Sequence, residues 1–208
     1  MKKIVLAVLA ISATLLFTSC GSFWDDLFGK VTGTASVTVN GETSEYSSSI
    51  VMNGTNDSVP FCVGMAMNMS IDDLMEIENE EQITYPIFCY RFASANLKSG
   101  ATLTAENVVT EEDLADIRYT DMISGKFSNN QMVGVAVNDT LFYVMSTGTI
   151  TLDKVSKSKV TGSFSGSAYV INRNGEPKLS EEQVSISGTF VSRVVPMKAW
   201  IKNLQERQ

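Results

Sequence analysis

Three cysteines, ten methionines and no histidine bound the chemistry open to this chain of 208 residues. Without imidazole, Ser-His-Asp and Cys-His catalysis are excluded, as are the common zinc sites built on histidine. Gly162-Ser163-Phe164-Ser165-Gly166 has the outline of a nucleophile elbow, but Phe stands at the centre, where the nucleophile must be. Ser156-Lys157-Ser158-Lys159 holds the letters of a Ser-x-x-Lys motif, with no helix expected there and no companion motif elsewhere. Paired carboxylates acting on a glycan need no fixed spacing, so a carboxylate-dependent glycan hydrolase stays open as an alternative, although nothing selects a pair. The sharpest local feature is Met65-Ala66-Met67-Asn68-Met69. On a strand, Met65, Met67 and Met69 would share one face about 7 Å apart, and soft sulfur ligands suit Cu(I). The same alternation continues from Phe61 and Val63 and reads equally as methionines filling a core. No catalytic residue is named, no cofactor is expected, and a Cu(I) site stays a second alternative.

Cys20 is marked by what precedes it. Met1-Lys2-Lys3 leads into an apolar run from Ile4 to Phe17, and then Thr18-Ser19-Cys20-Gly21 comes next. This is the order of a charged segment, an apolar segment and a small-residue cleavage site. The run is shorter than the roughly 20 residues a membrane-spanning helix needs. Leu16-Phe17-Thr18-Ser19-Cys20 resembles the lipobox of bacterial lipoprotein precursors, with Phe17 where Leu is usual. That resemblance implies cleavage before Cys20 and lipid on its sulfur and new N-terminus. Losing Lys2 and Lys3 with the leader would take the formal charge from −7 to −9. At about 0.8 kcal/mol per buried methylene, several acyl chains hold a protein firmly where one does so marginally.

Gly21-Ser22-Phe23-Trp24-Asp25-Asp26 resembles the acidic export signal of surface lipoproteins in Bacteroidota-type bacteria. It implies an outer-membrane lipoprotein, with the outward-facing surface as one location. Phe23, Trp24, Leu27 and Phe28 would form an interfacial patch beside the lipid or plug one end of the domain. Asp57-Ser58-Val59 and Asp139-Thr140-Leu141 resemble the acceptor pattern of O-glycosylated envelope proteins of the same bacteria, which makes Ser58 and Thr140 candidate modification sites.

The acidic balance argues against nucleic acid, because neutralising phosphates needs clustered Lys and Arg and only Lys154 to Lys159 offers a small cluster. With Cys20 given to lipid, Cys62 and Cys89 remain as one candidate disulfide pair in an oxidising compartment. Such a bridge would contribute about 3 to 4 kcal/mol if the strands bring the Cα atoms within range. The alternative is two buried thiols packed as small hydrophobes.

These residues must be positioned by strands. Val31 to Val39 alternates small or apolar residues with hydroxyls and runs into Asn40-Gly41, a strong hairpin signal. A partner strand is expected from Tyr46 to Met52, then strands at Phe61 to Met69, Thr84 to Phe92 and Ala101 to Thr104. From Gln131 the expected strands run Gln131 to Asn138, Leu141 to Ser146, Thr149 to Val155, Val160 to Ile171 and Val184 to Val194. Short helices are expected from the Ser70 and Thr110 caps and after Pro196. Val160-Thr161-Gly162-Ser163-Phe164-Ser165 echoes Val31-Thr32-Gly33-Thr34-Ala35-Ser36, with Ser187-Gly188-Thr189-Phe190 a third variant, each glycine marking a bulge or bend.

The expected fold is therefore all-β, an antiparallel sandwich or barrel of about nine or ten strands with two or three short helices. Residues 1–19 are the signal peptide, 20–30 a lipidated tether, and 31–208 a single β domain closed by a short helix. Thr147 to Val194 also resembles the C-terminal half of small uncharacterised Bacteroidota lipoproteins of β-sandwich or calycin-like fold, which implies no mechanism. The expected function is a non-enzymatic cell-envelope lipoprotein, a membrane-anchored binding or structural module. Its partners would be the membrane through its lipid and a small-molecule, glycan or protein ligand, with no nucleic acid.

Overall fold

Asn40 and Gly41 both take left-handed backbone angles, with φ of 50° and 86°. Two such residues in succession make the tight turn whose twist matches a hairpin. Strand β1 (Thr34–Val39) is thereby folded onto β2 (Glu42–Tyr46). The computed structural model describes residues 33–54, 60–70, 84–110, 131–174, 178–180 and 182–196. All described residues belong to one compact unit, Thr32–Gln208.

The strand expected from Tyr46 to Met52 is in fact the end of one strand and most of another. After Tyr46 the chain leaves the hairpin, and β3 (Ser48–Asn53) pairs with β4 (Phe61–Met67). The division follows burial: β2 is exposed up to Tyr46, whereas Ser48 to Met52 are buried without a break. The chain continues through β5 (Ile87–Ala93), a one-turn 3₁₀ helix (Ser94–Asn96), β6 (Ala101–Glu106) and β7 (Met132–Ala136). It ends in β8 (Leu141–Val155), β9 (Lys159–Asn172), β10 (Lys178–Leu179) and β11 (Val184–Pro196). The strand order is β10-β9-β8-β7-β5-β4-β3-β11-β1-β2, with β6 on β8 and a further pairing of β11 with β9. Every pairing is antiparallel except that of β11 with β3.

The fold is thus predominantly antiparallel β. Helices are not borne out among the described residues beyond the single 3₁₀ turn. Those expected after Ser70, Thr110 and Pro196 fall outside the described residues, and Pro196 itself is the last residue of β11.

Three long strands each serve two sets of neighbours. On one edge of β8, Phe142 to Val144 pair with β7 and Thr147 to Leu152 with β6, and the register shifts between Met145 and Thr147. Such an irregularity bends a strand and re-aims the residues beyond it. It also explains why two expected strands, Leu141 to Ser146 and Thr149 to Val155, are one. On one edge of β11, Ile186 to Val191 pair with β1 and Arg193 to Pro196 with β3, while the other edge follows β9.

Strands β3, β4, β5 and β7 are buried on both faces; β4, β5 and β7 have the near-continuous apolar sequences this burial calls for, while β3 buries Ser48 and Ser49 beside Ile50, Val51 and Met52. One face contributes Val51, Cys62, Phe88, Tyr90 and Val133 to the larger core. The other contributes Ile50, Met65, Met67, Cys89 and Met132 to a second cluster. Strands β1 and β6 and the middle of β8, β9 and β11 bury one face only, alternating with exposed hydroxyls.

Glycines make room for the large rings. Gly64 lies opposite Tyr90, Gly162 opposite Phe190, and Gly188 opposite Phe164. A Cβ on Gly64 would overlap the Tyr90 ring, while one on Gly162 or Gly188 would press on Phe190 or Phe164 and on backbone carbonyls. The repeated Gly-x-Phe of Gly162 to Phe164 and Gly188 to Phe190 is therefore reciprocal: antiparallel pairing sets each Phe over the other's Gly. We expect Gly64→Ala to cost about 2 kcal/mol by overpacking. On a Tyr90→Ala background the same change should cost much less, because the ring it meets is gone. A double-mutant cycle from urea unfolding measures this coupling, and strictly additive costs would show that Tyr90 does not set the requirement for glycine.

Candidate functional site

The chemistry-bearing residues of the sequence are dispersed by the fold. Cys20 and Ser58 lie outside the described residues. Thr140 sits in the turn between β7 and β8, where Asn138 Oδ1 accepts hydrogen bonds from the backbone N–H groups of Thr140 and Leu141 and from the Thr140 hydroxyl, at 2.8 to 2.9 Å. The Thr140 carbonyl accepts from the Arg173 N–H at 2.8 Å, so both ends of this turn are tied down.

Cys62 and Cys89 are free, buried thiols on opposite faces of the sheet, and no bridge joins them. The register gives the reason. Cys62 on β4 faces Phe92 on β5, whereas Cys89 faces Met65, three positions along β4. An odd offset on a pleated strand turns the side chain to the other face. Cys62 donates weakly to Asn53 Oδ1 and Ser94 Oγ at 3.6 and 3.7 Å, and burial raises its pKa against the opposing effect of the Ser94 bond. Complete burial pushes the Cys89 thiol up to about 12.

Met65 and Met67 are buried in the second cluster with Met52, Met132 and Cys89, and Met69 packs against its edge beyond the end of β4. The expected single-face stripe therefore exists, with Phe61 and Val63 on the same face. The Met69 carbonyl accepts a hydrogen bond from the Ser48 hydroxyl.

Two features were not anticipated from the sequence. Arg91 is buried at 7% exposure with its guanidinium 4.1 Å from the centre of the Phe61 ring, and burial lowers its pKa. Its position in Ile87-Phe88-Cys89-Tyr90-Arg91-Phe92 is a charge breaking an apolar run, which is the signal that could have singled it out. The other is a buried hydroxyl chain. The Tyr90 hydroxyl donates to Ser192 Oγ at 2.6 Å, and Ser192 Oγ meets Ser49 Oγ at 2.6 Å. These bonds tie β5, β11 and β3 together across the core.

Above that chain the interior is filled by rings. Tyr90 stacks on Phe190 at 4.4 Å, Phe88 on Phe164 at 5.1 Å, and Tyr90 on Phe92 at 6.1 Å. Tyr46 packs against Phe88 at 6.1 Å with its hydroxyl buried and without a hydrogen-bond partner among the described residues. Burial raises the pKa of both Tyr46 and Tyr90 well above the ordinary tyrosine range. Among the described residues no three His, Cys, Asp or Glu side chains converge to hold a metal ion.

These buried acids predict the alkaline behaviour. A group whose folded pKa is raised contributes stability that is fully present below its unfolded pKa and is lost as pH rises toward the folded value. For Cys89 the loss should begin near pH 8.5, the ordinary thiol value, and continue to about 12. Urea midpoints measured from pH 7 to 10 should fall above pH 8.5, with a shallower fall in Cys89→Ala. In a Cys20→Ala chain neither remaining thiol should react with Ellman's reagent until denaturant is added, and rapid native labelling of Cys89 would contradict its burial.

Comparison with protein-family models, with curated proteins and with solved structures returned no match, so the site is read from its own geometry.

Proposed function

We propose that this chain is a non-enzymatic, membrane-anchored binding or structural module of the bacterial cell envelope, held by lipid on Cys20 and acting through its outer surface. The anchor rests on the lipobox-like Leu16 to Cys20 and the charged and apolar segments before it. The mode of action rests on one observation, that the interior of the strand system is packed with stacked aromatic rings.

The strand pairings support a closed barrel as the form of the fold. The path β9-β8-β7-β5-β4-β3-β11 returns to β9 through the additional β9–β11 pairing, which leaves no free edge along that circuit. A barrel of this kind holds a small ligand only if its interior is open. Here Gly64, Gly162 and Gly188 admit Tyr90, Phe190 and Phe164 into the space a ligand would need. Contact with a partner is thereby moved to the outer face and loops, in keeping with outer-membrane attachment.

Growth with an alkyne-tagged palmitate tests the anchor. The wild-type chain should be labelled and Cys20→Ala should not. Equal labelling of the two, or none of the wild type, would overturn the reading.

A further inference from the structure

The exposed face of the half-buried sheet carries a regular array of hydroxyls. One row crosses six strands through Thr104, Thr149, Ser165, Ser187, Thr38 and Thr43, each the register partner of the next. A second row, two residues along each strand, runs through Thr102, Thr151, Ser163, Thr189 and Ser36 to Glu45. Strand geometry spaces such positions about 4.8 Å apart across the sheet and about 7 Å along it. At the β1–β2 end the hydroxyls are already engaged. Thr38 Oγ1 meets Thr43 Oγ1 at 2.8 Å, and Ser36 Oγ donates to Glu45 Oε1 at 2.7 Å. On β6, β8, β9 and β11 the hydroxyls of both rows make no hydrogen bond within the described protein, and they are exposed or half-exposed.

We infer that this open part of the array, across β6, β8, β9 and β11, is a binding face for a linear, neutral glycan. The inference rests on the outer-surface reading above and names the partner class for it. Three properties select that occupant. The open positions are all Ser or Thr, so the array itself holds no charge to pair with an ionic polymer, and its rim carries one charge of each sign, Glu106 beyond Thr104 and Lys154 opposite Thr161, which favours neither a polyanion nor a polycation. A hydroxyl both donates and accepts, as do the hydroxyls of a sugar. The open part of the two rows spans roughly 14 Å across the strands by 7 Å along them, well under the roughly 800 Å² each partner buries in a standard protein interface, and it lacks the Trp, Tyr and Arg that anchor one. Each hydrogen bond exchanged with water gains little on its own. Binding therefore requires a repeating ligand that meets successive strands with successive units, and a free monosaccharide should not compete.

The test uses the purified lipidated chain in detergent, sedimented with insoluble β-1,3-glucan, cellulose and mannan, and with alginate beads as an anionic control. Retention is expected on at least one neutral polymer and not on alginate. Retention should be about tenfold weaker in Thr149→Val/Thr151→Val, which removes two hydroxyls at nearly constant shape. Ser165→Lys, which puts a charge at the centre of the array, should weaken it at least as much. Unfolding midpoints identify which variant has kept the wild-type fold. The inference is overturned if the wild-type chain is retained on none of the three neutral polymers, if alginate retains it as well as they do, or if a variant with the wild-type midpoint binds unchanged. Should palmitate labelling of Cys20 succeed while glycan retention fails, the anchored module stands and only the assignment of this face falls; failed labelling strikes the anchor whatever the polymers show.

Discussion

Reciprocal pairing of glycine with an aromatic ring on the neighbouring strand is the constraint on which the rest of this structure depends. Tyr90, Phe164 and Phe190 reach the middle of the core because the residue opposite each has no side chain. Their rings then pack on one another and on Phe88 and Phe92 at centroid separations of 4.4 to 6.1 Å, within the range in which aromatic pairs attract. The same pairing holds the register. A slip of one residue between β9 and β11 would bring Ser and Thr inward and press Phe against a side chain instead of a glycine.

The filled interior shapes the outside. Along β1, β6 and the middle of β8, β9 and β11, inward apolar or glycine positions alternate with outward residues that are mostly hydroxyls, so a core that is apolar and in register produces a hydroxyl surface that is also in register. Where β8 and β11 change neighbours, the pattern changes with them. Strands β3, β4, β5 and β7 have no polar face to present, and their two-sided burial places the sulfur-bearing Met52, Met65, Met67, Cys89 and Met132 together. At the junction of β3 and β11 the core accepts polar atoms, and the Tyr90–Ser192–Ser49 chain satisfies them internally. Buried hydroxyls left unpaired would cost more than such a bond contributes.

A core filled by stacked rings leaves no open interior for chemistry. The thiols and tyrosines with raised pKa values owe them to desolvation first, which describes depth and not activation.

Much of this was legible in the sequence because it is local. The alternation of Thr34 to Val39, the Asn40-Gly41 turn, the outward hydroxyls of β8, β9 and β11 and the shared face of Phe61, Val63, Met65 and Met67 all come from a two-residue period and turn chemistry. So does the antiparallel β class. What only the tertiary structure decided depends on residues distant in sequence. The Cys62–Cys89 pair looked able to bridge until the β4–β5 register set the two thiols on opposite faces. The division of Tyr46 to Met52 into two strands reflects which edges of β4 and β11 were open to receive β3. The meaning of the Gly-x-Phe echo, visible as letters, needed the pairing of β9 with β11 to place each ring over the other's glycine. Period and turn type are carried by neighbouring residues and can be read from them. Register and partner choice are set by how rings and backbone share a single interior, and that is a property of the assembled chain alone.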